Sequence, residues 1–177
     1  MKNLKSLSGR KERDMVKKLR VYHRNYYKYT YIDDSDYKQV KDYSWRVKKD
    51  KRPDKYYVYA KIGKKTVYMH RFLLNPPHGT EVDHIDNNPL HNQRSNIRVC
   101  THAENLRNYT KTKTKTTSKY KGVYYHKRVG AWCAKIKVNG KQLCLGYHAI
   151  ERDAAMEYNM KAIEVFGKYA NLNKVAI

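Results

Sequence analysis

The chain has 177 residues, with 39 Lys or Arg against 16 Asp or Glu, and a formal net charge of +23. That length allows one large or two small domains. The charge points to a polyanionic partner, nucleic acid first and an anionic membrane surface second. No run of about 18 apolar residues exists to cross a membrane, and the opening MKNLKSLSGRKERD lacks the apolar stretch of a secretion signal. Cys100, Cys133 and Cys144 form no Cys-x-x-Cys, which suggests reduced thiols in a cytoplasmic protein and argues against structural zinc. The eighteen tyrosines are in part what AT-rich coding would produce.

Residues 1–27 read as a basic, weakly patterned extension. Lys11 to Arg20 predicts a short helix with Met15, Val16 and Leu19 on one side, within either a solvated tail or an arm along DNA phosphates. From Tyr29 to Leu74 the signals are β with one helix. Tyr29 to Ile32 predicts a strand, and Asp34 or Ser35 can cap a helix over Asp36 to Tyr43. Trp45 to Val47 predicts a strand, with Trp45 as core. A charged turn follows to Lys55, and Tyr56 to Ile62 is a strand rich in aromatic and β-branched residues. Gly63 to Lys65 turns the chain, Thr66 to His70 returns, and His70-Arg71 begins a short helix ending before Pro76-Pro77.

The stretch Glu81 to Asn108, EVDHIDNNPLHNQRSNIRVCTHAENLRN, reads strand, loop, strand, helix. Thr101-x-x-Glu104 is a capping box that starts the helix. Asp83 and His84 come from the first strand and Asn105 from the helix. Asp83 and Asn105 can each offer one oxygen to a hard cation such as Mg²⁺, which takes few protein ligands and completes its shell with water and phosphate. An imidazole such as that of His84 can take a proton from an attacking water. The spacing is twelve residues from His84 to Asn96 and nine more to Asn105.

This stretch resembles the ββα-metal motif of HNH endonucleases, in the version found in phage homing endonucleases. The resemblance implies Asp83 and Asn105 as ligands of one Mg²⁺ or Mn²⁺, His84 as general base, and Asn96 as the central Asn that braces the loop and so orients the His. The third letter of the pattern is Asn105 rather than His, a variant suited to Mg²⁺ or Mn²⁺ because an amide is the weaker ligand for Zn²⁺ or Ni²⁺. In the same resemblance the helix before the motif packs beside it, and Arg71 either touches the substrate phosphate or is a surface charge.

Tyr109 to Ser118, YTKTKTKTTS, reads as a basic linker. Between Asn105 and Ile150 there is no Asp or Glu but eleven Lys or Arg, a path suited to phosphates. Beyond it, Gly122 to Tyr125, Ala131 to Val138 and Lys141 to Leu145 predict three strands, with Asn139-Gly140 as a tight hairpin turn. A helix is expected from Glu151 to Phe166, with Ala155, Tyr158, Ala162, Ile163 and Phe166 on one face and Gly167 as its stop.

YKGV, the Trp132-x-Ala134-x-Ile136 alternation, LGY, the Ala-rich helix and Asn171-Leu172-Asn173 resemble the ethylene-response-factor-type (Apetala-type) DNA-binding domain. That resemblance implies a sheet that enters the major groove, with Lys121, Tyr124, His126, Lys135, Lys137 and Gln142 facing DNA and Trp132 packing inward. The expected fold class is therefore α+β: an N-terminal small sheet and a ββα-metal nuclease domain over 28–108, a linker over 109–118, and a three-stranded antiparallel sheet with one helix over 119–177. The expected function is site-specific cleavage of double-stranded DNA by a monomer, the alternative being a non-catalytic, sequence-specific DNA-binding regulator.

Overall fold

A computed structural model describes residues 15–52, 54–110 and 117–175. The fold is mixed α+β, with several small sheets and few helices. The chain divides into two compact units, residues 1–76 with 88–98, and residues 77–87 with 99–177.

The first unit is built on a five-stranded sheet. Its strands are β1 (Val16–Tyr22), β2 (Tyr27–Asp33), β3 (Arg46–Lys49), β4 (Tyr56–Ile62) and β5 (Lys65–Tyr68), in the order β2-β1-β3-β4-β5. Only β1 and β3 run parallel. Residues 16–22, expected within a helical segment of a basic extension, are thus a strand inside this sheet, with Leu19 paired to Thr30 and Arg20 to Tyr29. Pairing with β2 runs the full length of the segment, and the aliphatic stem of Lys17 lies inward with its ammonium 3.8 Å from the Tyr37 ring centroid. Residues 1–14 lie outside the described residues.

A 3₁₀ turn, Asp34–Asp36, leads into α1 (Tyr37–Val40), shorter than expected and without a side-chain cap. Asp36 stands at the cap position, but its carboxylate accepts from Arg94 Nε and Nη2 at 3.0 and 2.8 Å and from Gln39. The last helix of the unit, α2 (Met69–Leu74), ends on Asn75 at φ +41°. Val21, Ile32, Val47, Val58 and Ala60 from the strands are buried, as are Val40, Met69 and Leu73 from the helices. Trp45 is core, as its pattern implied, and its indole donates to the Val40 carbonyl at 2.8 Å. The loop of residues 88–98 is stitched to β2. Asn92 is fully buried, its amide donates to the Thr30 hydroxyl at 2.8 Å, and its backbone N–H donates to the Tyr31 carbonyl.

The second unit begins at residue 77. A two-stranded sheet is formed by β6 (Glu81–His84) and β7 (Ile97–Cys100), whose Val99 and Cys100 belong to this unit. Next comes α3 (His102–Arg107), started by the expected capping box: Glu104 N–H donates to the Thr101 hydroxyl and the Glu104 carboxylate accepts from Thr101 N–H. The Thr101 N–H and the Thr101 hydroxyl both donate to the Glu104 carboxylate and hold it below its ordinary pKa.

Then follow β8 (Val123–His126), β9 (Ala131–Val138) and β10 (Lys141–His148), an antiparallel sheet in the order β10-β9-β8, and α4 (Glu151–Phe166). Asn139 and Gly140 both take positive φ, the requirement of the tight hairpin turn. Gly122 is needed twice over: its φ is +74°, and a side chain there would run into the Tyr158 ring and the Lys135 carbonyl. The buried stripe of α4 is Ala154, Ala155, Tyr158 and Ala162, against Val123, Ala134 and Ile136. Ile163, expected on that stripe, is 54% exposed. The small alanines bring the helix close to the sheet and turn the stripe toward Ala154, which moves position 163 outward. No hydroxyl or acid caps α4; Glu151 and Asp153 in its first turn supply the favourable negative charge instead. Trp132 packs inward as expected.

The compact units are not cut where composition places the linker, because α3 and the C-terminal sheet and helix touch directly. Lys121 Nζ donates to the Arg107 carbonyl at 2.6 Å, Asn171 Nδ2 to the Asn108 carbonyl at 2.7 Å, and the Arg107 guanidinium lies 5.0 Å from the Phe166 ring centroid. Residues 111–116 of the linker lie outside the described residues. Among the described residues no helix is long and apolar enough to cross a membrane.

Candidate functional site

Alternation along β6 places Glu81 and Asp83 on one side of the strand. Helical spacing places Asn105 and Asn108 on one side of α3 and its C-terminal cap. The two sides meet as a ladder. Asn105 Nδ2 donates to Glu81 Oε2, and Asn108 Nδ2 donates to both Asp83 oxygens at 2.9 and 3.0 Å. The same Asn108 amide reaches the carbonyls of His84 at 2.9 Å and Ile85 at 3.3 Å. Glu81 uses its other oxygen on His102 Nδ1, 2.7 Å away. Asp83, His84 and Asn108 are all buried, and Asn105 is half-buried.

The structure therefore brings Asp83, His84 and Asn105 into one neighbourhood and adds a residue that sequence reasoning missed. The amide clamping Asp83 belongs to Asn108, three residues beyond Asn105. The signal was available, since Glu81-x-Asp83 and Asn105-x-x-Asn108 each share a face, but nothing in the spacing says which amide meets which carboxylate. His84 is fixed through its backbone as well, because its carbonyl also accepts from Asn87 N–H at 2.8 Å, with Asn87 at φ +62°.

These residues fit a hard cation. With its N–H₂ bonded to Glu81, Asn105 turns its Oδ1 into a fixed acceptor. Each Asp83 oxygen has lone-pair capacity beyond the single donor direction that Asn108 occupies. Among the described residues no group of three or more His, Cys, Asp or Glu forms a metal cage. An ion held here would draw on one carboxylate oxygen and one amide oxygen, donors of the kind a hard cation takes.

Asn96 lies in the first compact unit. Its Nδ2 donates to the His91 carbonyl at 2.8 Å and its backbone N–H donates to the Gln93 carbonyl. The His91 ring in turn meets Asn88 Nδ2 at 3.0 Å and lies edge-on to Tyr31. Arg71 is half-buried on α2, next to a buried His70 that packs against the Tyr57 and Tyr68 rings.

The expected DNA-facing residues of the C-terminal module separate into two groups. Tyr124, His126, Lys135, Lys137 and Gln142 share the sheet face opposite α4, by register and alternation. There the Lys135 ammonium lies 4.4 Å from the Tyr124 ring centroid, and Lys137 and Gln142 are an exposed cross-strand pair. A bond to Cys133 pushes the Tyr124 hydroxyl up to about 12, so it stays a neutral donor. Lys121 is not on that face. Its ammonium is committed to the Arg107 carbonyl, and burial pulls its pKa down to about 8. The carbonyl and the helix C-terminus act the other way, toward the charged form.

A second surface went unnoticed in the sequence. On the five-stranded sheet, the row opposite the buried face alternates tyrosine and cation: Arg20 stands across from Tyr29, Tyr22 from both Tyr27 and Arg46, Arg46 from Tyr59, and Lys48 from Tyr57. Lys18 Nζ lies 3.8 Å from the Tyr29 ring centroid and the Arg20 guanidinium 4.9 Å from that of Tyr27. The acid in this row is Asp33 at the end of β2, which is buried and accepts from Arg94 N–H at 2.7 Å. The tyrosines read as coding bias are thus arranged as a basic, aromatic face.

The chain is similar to two relatives. The chain is 32% identical over 144 residues to an HNH endonuclease of Acanthamoeba polyphaga mimivirus, covering 77% of this chain and 70% of that protein. It is 38% identical over 66 residues to Protein 3.8 of Escherichia phage T7, covering 37% of this chain and 54% of that protein. No protein-family model matches the chain.

Proposed function

The chain belongs to the family of HNH endonucleases, and from that premise we propose that it is a metal-dependent, site-specific endonuclease of the homing type, hydrolysing phosphodiester bonds of double-stranded DNA. The observation that supports this best is the ladder between β6 and α3, in which Asn105 bonds Glu81 and Asn108 bonds Asp83, the neighbour of His84 in β6. Asp83 and Asn105 would hold one Mg²⁺ or Mn²⁺. When bound, that ion supplies electrostatic stabilisation of the charge that gathers on the phosphoryl and leaving oxygens. Asn108 keeps the Asp83 carboxylate in one orientation, so no reorganisation is needed when the ion and substrate arrive. The His84 imidazole takes the proton of the attacking water. Its backbone carbonyl is held by Asn108 and Asn87.

Positioning the duplex falls to the basic surfaces. The net charge of +23 supplies affinity through phosphates. The C-terminal sheet face, with Lys135, Lys137 and Gln142, is the candidate reader of base edges, and the tyrosine and cation row of the first unit is a second backbone-tracking surface. Arg71 is a candidate phosphate contact.

The test is incubation of the full chain with its host's DNA and Mg²⁺, followed by sequencing of the ends. Defined ends should appear with Mg²⁺ or Mn²⁺ and vanish in excess chelator. His84→Ala should lower cleavage by about 10²–10⁴-fold with DNA affinity unchanged. Cleavage persisting in chelator, or His84→Ala within tenfold of the wild type, would refute the mechanism.

A further inference from the structure

The last carbonyls of an α-helix have no partner within the helix. In α3 two of them find donors in the C-terminal module: the Arg107 carbonyl accepts from Lys121 Nζ and the Asn108 carbonyl from Asn171 Nδ2. Asn108 is also the residue whose amide clamps Asp83. One residue thus has its backbone held by the C-terminal module and its side chain on the candidate metal-binding carboxylate.

The two donors are delivered together. Asn173 Oδ1 accepts from Lys121 N–H at 2.7 Å, and Asn173 Nδ2 donates to the Lys121 carbonyl at 3.0 Å. Asn159 on α4 then bonds both backbone groups of Asn173, at 2.9 and 2.8 Å. Asn173 therefore staples Lys121 beside Asn171, and α4 holds the staple. Lys121 is half-buried, with its ammonium turned to the helix end rather than outward to a phosphate.

We propose that Lys121 and Asn171 are positioning residues for the nuclease centre: they seat the C-terminal end of α3, fix Asn108, and so set the orientation and cation affinity of Asp83. This rests on the ligand assignment proposed above. On this account the C-terminal module is part of the metal site as well as a DNA reader. A chain in which the module is unseated binds its cation more weakly even where its DNA-facing residues are intact.

The experiment uses the full chain without DNA and follows free Mn²⁺ by its paramagnetic resonance signal during titration. Asn108→Ala should weaken Mn²⁺ binding by about 10–100-fold, as loss of a residue that orients a metal ligand does. Asn171→Ala and Lys121→Met should weaken it by about 3–10-fold, the worth of one hydrogen bond, and Lys121→Arg should restore most of the loss. DNA affinity of Asn171→Ala in excess chelator should match the wild type. Ala154→Gly weakens the same module away from α3; it should lower the melting temperature and leave Mn²⁺ affinity unchanged. Wild-type affinity in both Asn171→Ala and Lys121→Met overturns the proposal, as does an equal loss in Ala154→Gly. If the wild type binds no Mn²⁺, or Asp83→Ala binds it as well as the wild type does, the ligand assignment itself fails, a different result from loss of the coupling alone.

Discussion

Asn108→Ala tests the center of the site most directly. The Asn108 amide has two hydrogens and four acceptors, so it makes two full-strength bonds at most. One is charge-assisted, to Asp83, and the other is shared between two carbonyls. Such bonds contribute about 1.5–3 and about 0.5–1.5 kcal/mol respectively. Water entering the vacated space returns part of this, so the expected loss is about 2–3 kcal/mol, a large share of the 5–15 kcal/mol (order of magnitude) that stabilises a typical domain. Urea unfolding followed by tryptophan fluorescence measures it, because Trp132 reports on the unit that holds Asn108 and Trp45 on the other. The Trp132 transition should move to lower urea. Asn108→Asp should be worse at pH 8 than at pH 5, since it sets a second carboxylate against Asp83 and protonation of either relieves the repulsion. A loss below about 0.5 kcal/mol for Asn108→Ala, within the range of ordinary surface substitutions, would refute the clamp.

In the first unit, Arg94→Met should cost about 2 kcal/mol, below the usual cost of breaking a buried pair because the Arg94 side chain is 48% exposed and Gln39 still donates to Asp36; an unchanged Trp45 transition would remove Arg94 from the list of structural residues. Lys121 predicts a pH dependence of known sign. Its folded pKa of about 8 lies below the ordinary 10.5, so between those values the unfolded chain holds more protons and this group's contribution rises with pH. The melting temperature of the wild type relative to Lys121→Met should therefore increase from pH 8 to pH 10, and a decrease would mean that the Arg107 carbonyl outweighs burial and favours the ammonium.

Local chemistry was legible wherever it was complete within a few residues. Thr101 and Glu104 form the capping box, Asn139-Gly140 makes the hairpin turn, and Glu151 to Phe166 is helical over the expected span, because each is decided by neighbours in the chain. β1 was not legible. Met15, Val16 and Leu19 match helical spacing as well as Leu19 and Val21 match a strand, and only the ladder with β2 decides between them. The outward tyrosines of the first unit went unread for the same reason: alternation within one strand is visible, but a cation facing a ring from the next strand requires the register.

From the sequence alone come the residue types and intervals of the candidate centre: Asp83-His84, Asn96 twelve residues on from His84, and Asn105 nine further. Those intervals reflect element lengths, which local propensity and capping dictate. The tertiary structure alone decided the partners. Where α3 lands on β6 assigns Asn108 to Asp83 and Asn105 to Glu81, and where the C-terminal module lands on α3 turns Lys121 from an expected DNA contact into a helix-end donor. A hydrogen bond discriminates within a few tenths of an ångström. Spacing along the chain fixes which face a side chain shares, but not which group it meets across a gap of twenty or more residues.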